Sequence, residues 1–173
     1  MSYFATAAVR GSDGWAASEL DLSGAADIEE LADRLREVDP EADLSLLFVE
    51  SDDAYLVILR LDKSDDLRVF GSDSAFAEES RLGALLLGDI EAPALEIDAL
   101  TVAAPADDDA ADEPPTTPDA DPVGDADLLA DLGVSAHKLL ALCAHEGMLP
   151  ADITAEVCQA IGCGDELEEL REA

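Results

Sequence analysis

The chain has 173 residues, with 42 Asp and Glu against nine Lys and Arg, giving a formal net charge of −33. A field this negative repels phosphates and attracts basic surfaces, so it argues against direct nucleic-acid binding and against docking on anionic lipid. Hydrophobic residues still make up 49% of the sequence, more than acidic disordered chains carry and enough for a core.

In chain order, residues 2–10 and 15–22 flank Gly11-Ser12-Asp13-Gly14 and predict a β-hairpin, the second arm weakened by its Ala, Ser and Glu content. Ile28, Leu31, Leu35 and Val38 then recur at helical spacing. Asp27 and Glu30 are placed as N-cap and N3 partner, Arg34 and Arg36 suit the C-terminal end, and Pro40 closes the helix. Residues 44–50 and 54–61 are apolar runs around Ser51-Asp52-Asp53. They predict a second hairpin, with the near-continuous apolar run of 54–61 central in the sheet. A strand over 67–71 and short helices over 72–80 and 81–87 follow, and 89–102 reads as either strand or loop.

Residues 103–124 hold five of the eight prolines and seven acidic residues, with no basic one. Like charges repel and proline favours extended conformers, so a disordered, semi-stiff linker is expected. Beyond it, 125–132 predicts a short helix ended by Gly133, and Ser135 caps a second helix over 136–146. Pro150 opens a third helix in which Ile153, Val157 and Ile161 repeat at four-residue intervals, and 165–172 forms an acidic tail helix. The expected class is α+β. It comprises an N-terminal domain over 1–102 with an antiparallel sheet and helices on one face, the linker 103–124, and a small all-helical unit over 125–173. A unit of that size is marginal alone, so it is expected to pack on the first domain or on a partner.

No chemistry-bearing motif emerges. His137, Cys143, His145, Cys158 and Cys163 invite a zinc reading, but Cys143 and His145 fall on different helix faces and Cys158-x4-Cys163 is not a zinc knuckle. The cysteines are expected to be reduced, with Cys143 and Cys158 acting as small apolar residues. The acidic runs Asp62 to Asp66 and Asp107 to Asp109 lack the pattern of a calcium loop. Gly11-Ser12-Asp13-Gly14 lacks the spacing and the Lys of a phosphate loop. No catalytic, cofactor or metal residue is therefore assigned. The interaction candidates are Trp15, the sole tryptophan, and the linker carboxylates Asp107, Asp108, Asp109, Asp112 and Glu113. The start of the chain has no basic or long apolar leader, and no run reaches the roughly 18 apolar residues of a bilayer span, so the cytoplasm is the expected location.

The stretches SYFATAAVR with GSDGW, FVESDDAYLVILRLD, RVFGSDSAFAEESRLGALLL and LGVSAHKLLALC…LPADITAEVCQAIGCGDELEEL are similar to the tRNA adenosine deaminase-associated protein family of high-GC Gram-positive bacteria. They cover both ends of the chain and leave the linker unmatched. One departure is Cys163, which stands where an apolar aromatic is expected. The resemblance implies a partner or pathway, tRNA adenosine deamination, and carries over no catalytic residues. The chain is not that deaminase, because a zinc deaminase needs His-x-Glu and Pro-Cys-x-x-Cys and neither occurs. Charge and resemblance together predict a non-catalytic accessory protein that binds the deaminase or another basic protein. The alternatives are a small-molecule-binding or enzymatic α+β domain, with Tyr55, Arg60 and Arg68 converging on a pocket, and acidity that serves only solubility or salt adaptation.

Overall fold

A computed structural model describes residues 3–51, 55–63, 66–72, 76, 78, 80–87, 123–144 and 149–172. The predicted segments 89–102 and 103–122 lie outside the described residues. The elements are β1 (Tyr3–Gly11), β2 (Gly14–Glu19), α1 (Ile28–Val38), β3 (Leu44–Ser51), β4 (Tyr55–Asp62), β5 (Leu67–Gly71), α2 (Arg81–Leu87) and β6 (Val123–Gly124). They continue with a 3-10 helix (Ala126–Leu132), α3 (Ala136–Ala144), α4 (Pro150–Ile161) and α5 (Gly164–Glu172). The class is α+β. The strands form one antiparallel sheet in the order β2-β1-β3-β4-β5-β6.

Local chemistry sets most boundaries. The Asp27 carboxylate accepts from Glu30 N at 2.9 Å, and Glu30 in turn accepts from Ala26 N at 3.1 Å, which ties down the first turn of α1. The second hairpin arm ends at Glu19, earlier than the expected residue 22, and Leu20 N donates its last bond to Ala5 O. The helix expected over 125–132 winds as a tighter 3-10 helix, with Asp125 accepting from Asp127 N at 3.0 Å.

Every residue of β3 and the interior of β4 are buried, which requires cover on both faces of the sheet. On one face Leu47, Val49, Val57 and Leu59 pack against Leu31 and Leu35 of α1 and Leu86 and Leu87 of α2. On the other, Leu46, Phe48, Ile58 and Phe70 share a single core with Leu128, Leu129, Leu139, Val157 and Leu167. Among the described residues α1 and α2 thus cover one face, as the element order predicts. The C-terminal helices complete the sandwich from the opposite side.

Two side-chain clamps fix that second layer. Arg60 on β4 donates to Asp131 Oδ2 at 2.8 Å and to the Leu128 carbonyl, and Glu50 on β3 accepts from Arg171 on α5. The Arg171 guanidinium also lies 5.6 Å from the centre of the Phe4 ring. Val123 and Gly124 correct the expected linker boundary, since they pair with Gly71 and Phe70 as a sixth strand. Gly124 has φ +94, and a Cβ there would stand 2.2 Å from Val69 O. The chain passes close over β5 at this point, and only glycine fits. Gly124→Ala is expected to destabilise the fold by roughly 1–3 kcal/mol, read as a lowered urea midpoint at unchanged slope.

Candidate functional site

The β1–β2 hairpin and the loop between α1 and β3 meet at one end of the sheet because β1 pairs with β3 in the register Arg10↔Leu44. Asp43 N donates to Arg10 O at 2.9 Å, and Asp39 turns its loop by accepting from Glu41 N at 3.0 Å. A Cβ on Gly11 would stand 3.3 Å from Asp39 Oδ2, so a glycine here lets the two segments approach. Between them lies a concavity of about 620 Å³ whose lining includes Asp13, Trp15, Asp39, Glu41, Asp43 and Lys63. Lys63 Nζ is 3.6 Å from Asp43, with both side chains mostly exposed, so that pair holds little. Four carboxylates against one ammonium make the hollow strongly electronegative.

Trp15 lines this hollow and lies beside Gly162, which lines a second one. Its indole is half-buried against the C-terminal core, with the Arg10 guanidinium 5.6 Å from the ring centre. A Cβ on Gly162 would stand 3.4 Å from the indole Nε1. Gly162 also lines the second concavity, of about 360 Å³, with Gln159, Gly164, Asp165 and Glu168. Trp15 is therefore a packing residue that leaves part of its surface between two acidic hollows. The other interaction candidates, Asp107, Asp108, Asp109, Asp112 and Glu113, lie outside the described residues. No local sequence pattern marks the hollow's acids Asp13, Asp39, Glu41 and Asp43. The signal for them is the β1–β3 pairing, which local patterns do not reveal.

Positive charge is largely consumed inside the molecule. Arg34, Arg36, Arg60, Lys63, Arg68 and Arg171, six of the nine basic residues, lie within 4.0 Å of carboxylates of the same chain. Arg60 and Arg68 pair with Asp62, Asp131, Asp66 and Asp125. Tyr55 lies on the opposite face of the sheet, stacked on Phe76 with ring centres 4.9 Å apart. These three side chains do not face one cavity, which is the arrangement the pocket alternative requires. The geometry follows from the two-residue period of β4, which sends Tyr55 and Arg60 to different faces.

The cysteines serve packing. Cys163 N donates to Cys158 O at 2.8 Å and Gly162, at φ +109, caps α4, so Cys158 and Cys163 form the apolar pair that closes a Schellman turn. Hydrogen bonding to the Cys163 thiol, with burial, pushes the Cys158 thiol far above its ordinary range. Burial likewise pushes Cys143 up to about 12. All three are free thiols. Among the described residues no three His, Cys, Asp or Glu side chains are gathered so as to hold a metal ion, and no helix is long and apolar enough to cross a membrane.

A family model described as Rv3753c-like tRNA adenosine deaminase-associated protein matches residues 3–164, from the first strand to the first residue of α5. No curated protein and no solved structure matches the chain. The match spans the sheet and the C-terminal helices as far as α4. The chain belongs to the Rv3753c-like tRNA adenosine deaminase-associated protein family.

Proposed function

We propose that this protein is a non-catalytic accessory factor of tRNA adenosine deaminase and that it acts by binding a basic protein surface, in the first instance the tRNA-binding face of the deaminase. One observation carries the reading: most of the chain's cations are engaged in internal ion pairs, while carboxylates from separate segments converge on the hollow beside Trp15. The exterior field is therefore more uniformly negative than the composition alone requires. A surface that binds tRNA must be basic, and opposite potentials steer two such partners together. The carboxylates of 107–113 add to the same attraction. Bound in this way, the factor competes with tRNA or keeps the enzyme soluble.

The test is co-purification of the deaminase with the whole chain across a salt series. A complex is expected at low ionic strength, weakening steeply once the Debye length falls to about 3 Å near 1 M salt. Added tRNA is expected to displace the factor. No complex at any ionic strength overturns direct binding.

A further inference from the structure

We propose that the open edge of β2 is the docking site for an extended, basic polypeptide segment, which joins the sheet as an additional strand. The proposal rests on the reading that this chain binds a basic protein, and it names the surface and the form of the bound segment.

β2 is the last strand at its end of the sheet and pairs only with β1 among the described residues. Leu20 N donates to Ala5 O at 3.0 Å, which fixes the alternation of the ladder. Residues 14, 16, 18 and 20 turn their backbone groups toward β1, so those of Trp15, Ala17 and Glu19 point outward. Among the described residues nothing bonds to these outward groups. Natural edges of this kind are normally blunted by Pro, Lys or a bulge. This one has neither Pro nor Lys along Gly14–Glu19, and α5 packs against the strand without bonding to its outward backbone groups.

Charge selects the occupant. The larger hollow, with Asp13, Asp39, Glu41 and Asp43, adjoins β2 at Gly14–Ala16, and Asp165 and Glu168 line the smaller one beyond Trp15. An added strand spanning the six residues of β2 would carry its side chains between these carboxylates. Lys or Arg side chains fill such hollows with favourable charge, while main-chain bonds to Trp15, Ala17 and Glu19 supply affinity. A second copy of this chain is a poor occupant, because it would bring two such acidic rims together in molecules that each carry −33. Nucleic acid is repelled by the same field.

The test uses the full chain and a short fluorescent peptide alternating Lys and Val, with two controls. One is the same peptide N-methylated at its central amides, and the other replaces Lys by Glu. The unmodified basic peptide is expected to bind at least roughly tenfold more tightly than either control, about 1.4 kcal/mol. Ala17→Pro removes an outward donor without touching the β1 ladder, so it is expected to weaken binding by a similar factor with little change in thermal midpoint. If that variant fails to fold, the N-methylated peptide still decides. Equal binding of methylated and unmethylated peptides, undiminished binding by folded Ala17→Pro, or a dimer abolished by Ala17→Pro overturns the proposal. If the deaminase co-purifies but the peptides do not discriminate, the edge is wrong and the accessory role stands. If the peptides discriminate but no deaminase is captured, the edge stands and the deaminase is not its partner.

Discussion

Cut after residue 102, the chain is expected to lose its fold rather than shed an appendage. Leu44, Leu46, Phe48, Leu56, Ile58 and Phe70 form the sheet face under the C-terminal helices, and each is at most 2% exposed. Burying side chains of this size is worth roughly 1.5–3 kcal/mol apiece, so baring all six forfeits on the order of 10 kcal/mol, an upper estimate because unfolded chains already bury some of this surface. Domains have a net stability of roughly 5–15 kcal/mol, so the loss is comparable with all of it. The exposed apolar face is also a template for aggregation. Residues 1–102 alone are expected to bind a hydrophobic dye strongly, to associate, and to show no cooperative thermal transition, whereas the full chain melts in one step. A monomeric fragment melting cooperatively within a few degrees of the full chain would show the sheet and its first helices to be self-sufficient.

The same geometry explains what the sequence reveals and what it hides. α1 is legible because its signals are local: the Asp27 cap, the apolar spacing from Ile28 to Val38 and the stop at Pro40 lie within one short segment. β3 and β4 are legible as strands for a similar reason. Their unbroken apolar runs also indicate burial on both faces. The sequence leaves open whether the C-terminal unit covers the first domain or a partner, and it does not show how that cover is fixed. The Arg60–Asp131 clamp joins residues 71 apart and the Arg171–Glu50 clamp residues 121 apart. In a chain with 42 carboxylates nothing local marks the two that matter. Cys163 illustrates the same limit. In sequence it departs from an expected aromatic, whereas in the fold it closes a turn against Cys158, a task for a small apolar side chain. The acidic hollow is assembled by the β1–β3 register, so its members become neighbours only once that pairing is known.

Arg60→Leu is expected to be strongly destabilising on the β4 surface that meets the C-terminal layer. Arg60 is 8% exposed, and its guanidinium serves Asp62 Oδ1 at 3.0 Å, both oxygens of Asp131 and the Leu128 carbonyl. Leucine fills much of the space but leaves two carboxylates facing each other without their shared cation. Removing one partner of a fully buried pair costs about 3–5 kcal/mol. Asp131 is largely exposed and can rehydrate, so the loss of charged hydrogen bonds, about 1.5–3 kcal/mol, is the better guide. Removing the acid as well, in Arg60→Leu with Asp131→Leu, is expected to recover part of this. Acid separates the pairing from simple packing. The Arg60 hydrogen bond lowers the Asp131 pKa, so the stabilisation it brings is fully present above the unfolded carboxylate value of about 3.9 and fades as pH falls through the lower folded value. The gap in urea midpoint between wild type and Arg60→Leu should therefore be constant near neutrality and narrow below about pH 4. A gap of the same size at every pH would mean that the arginine acts through the packing of its aliphatic stem and not through its pairing with Asp131.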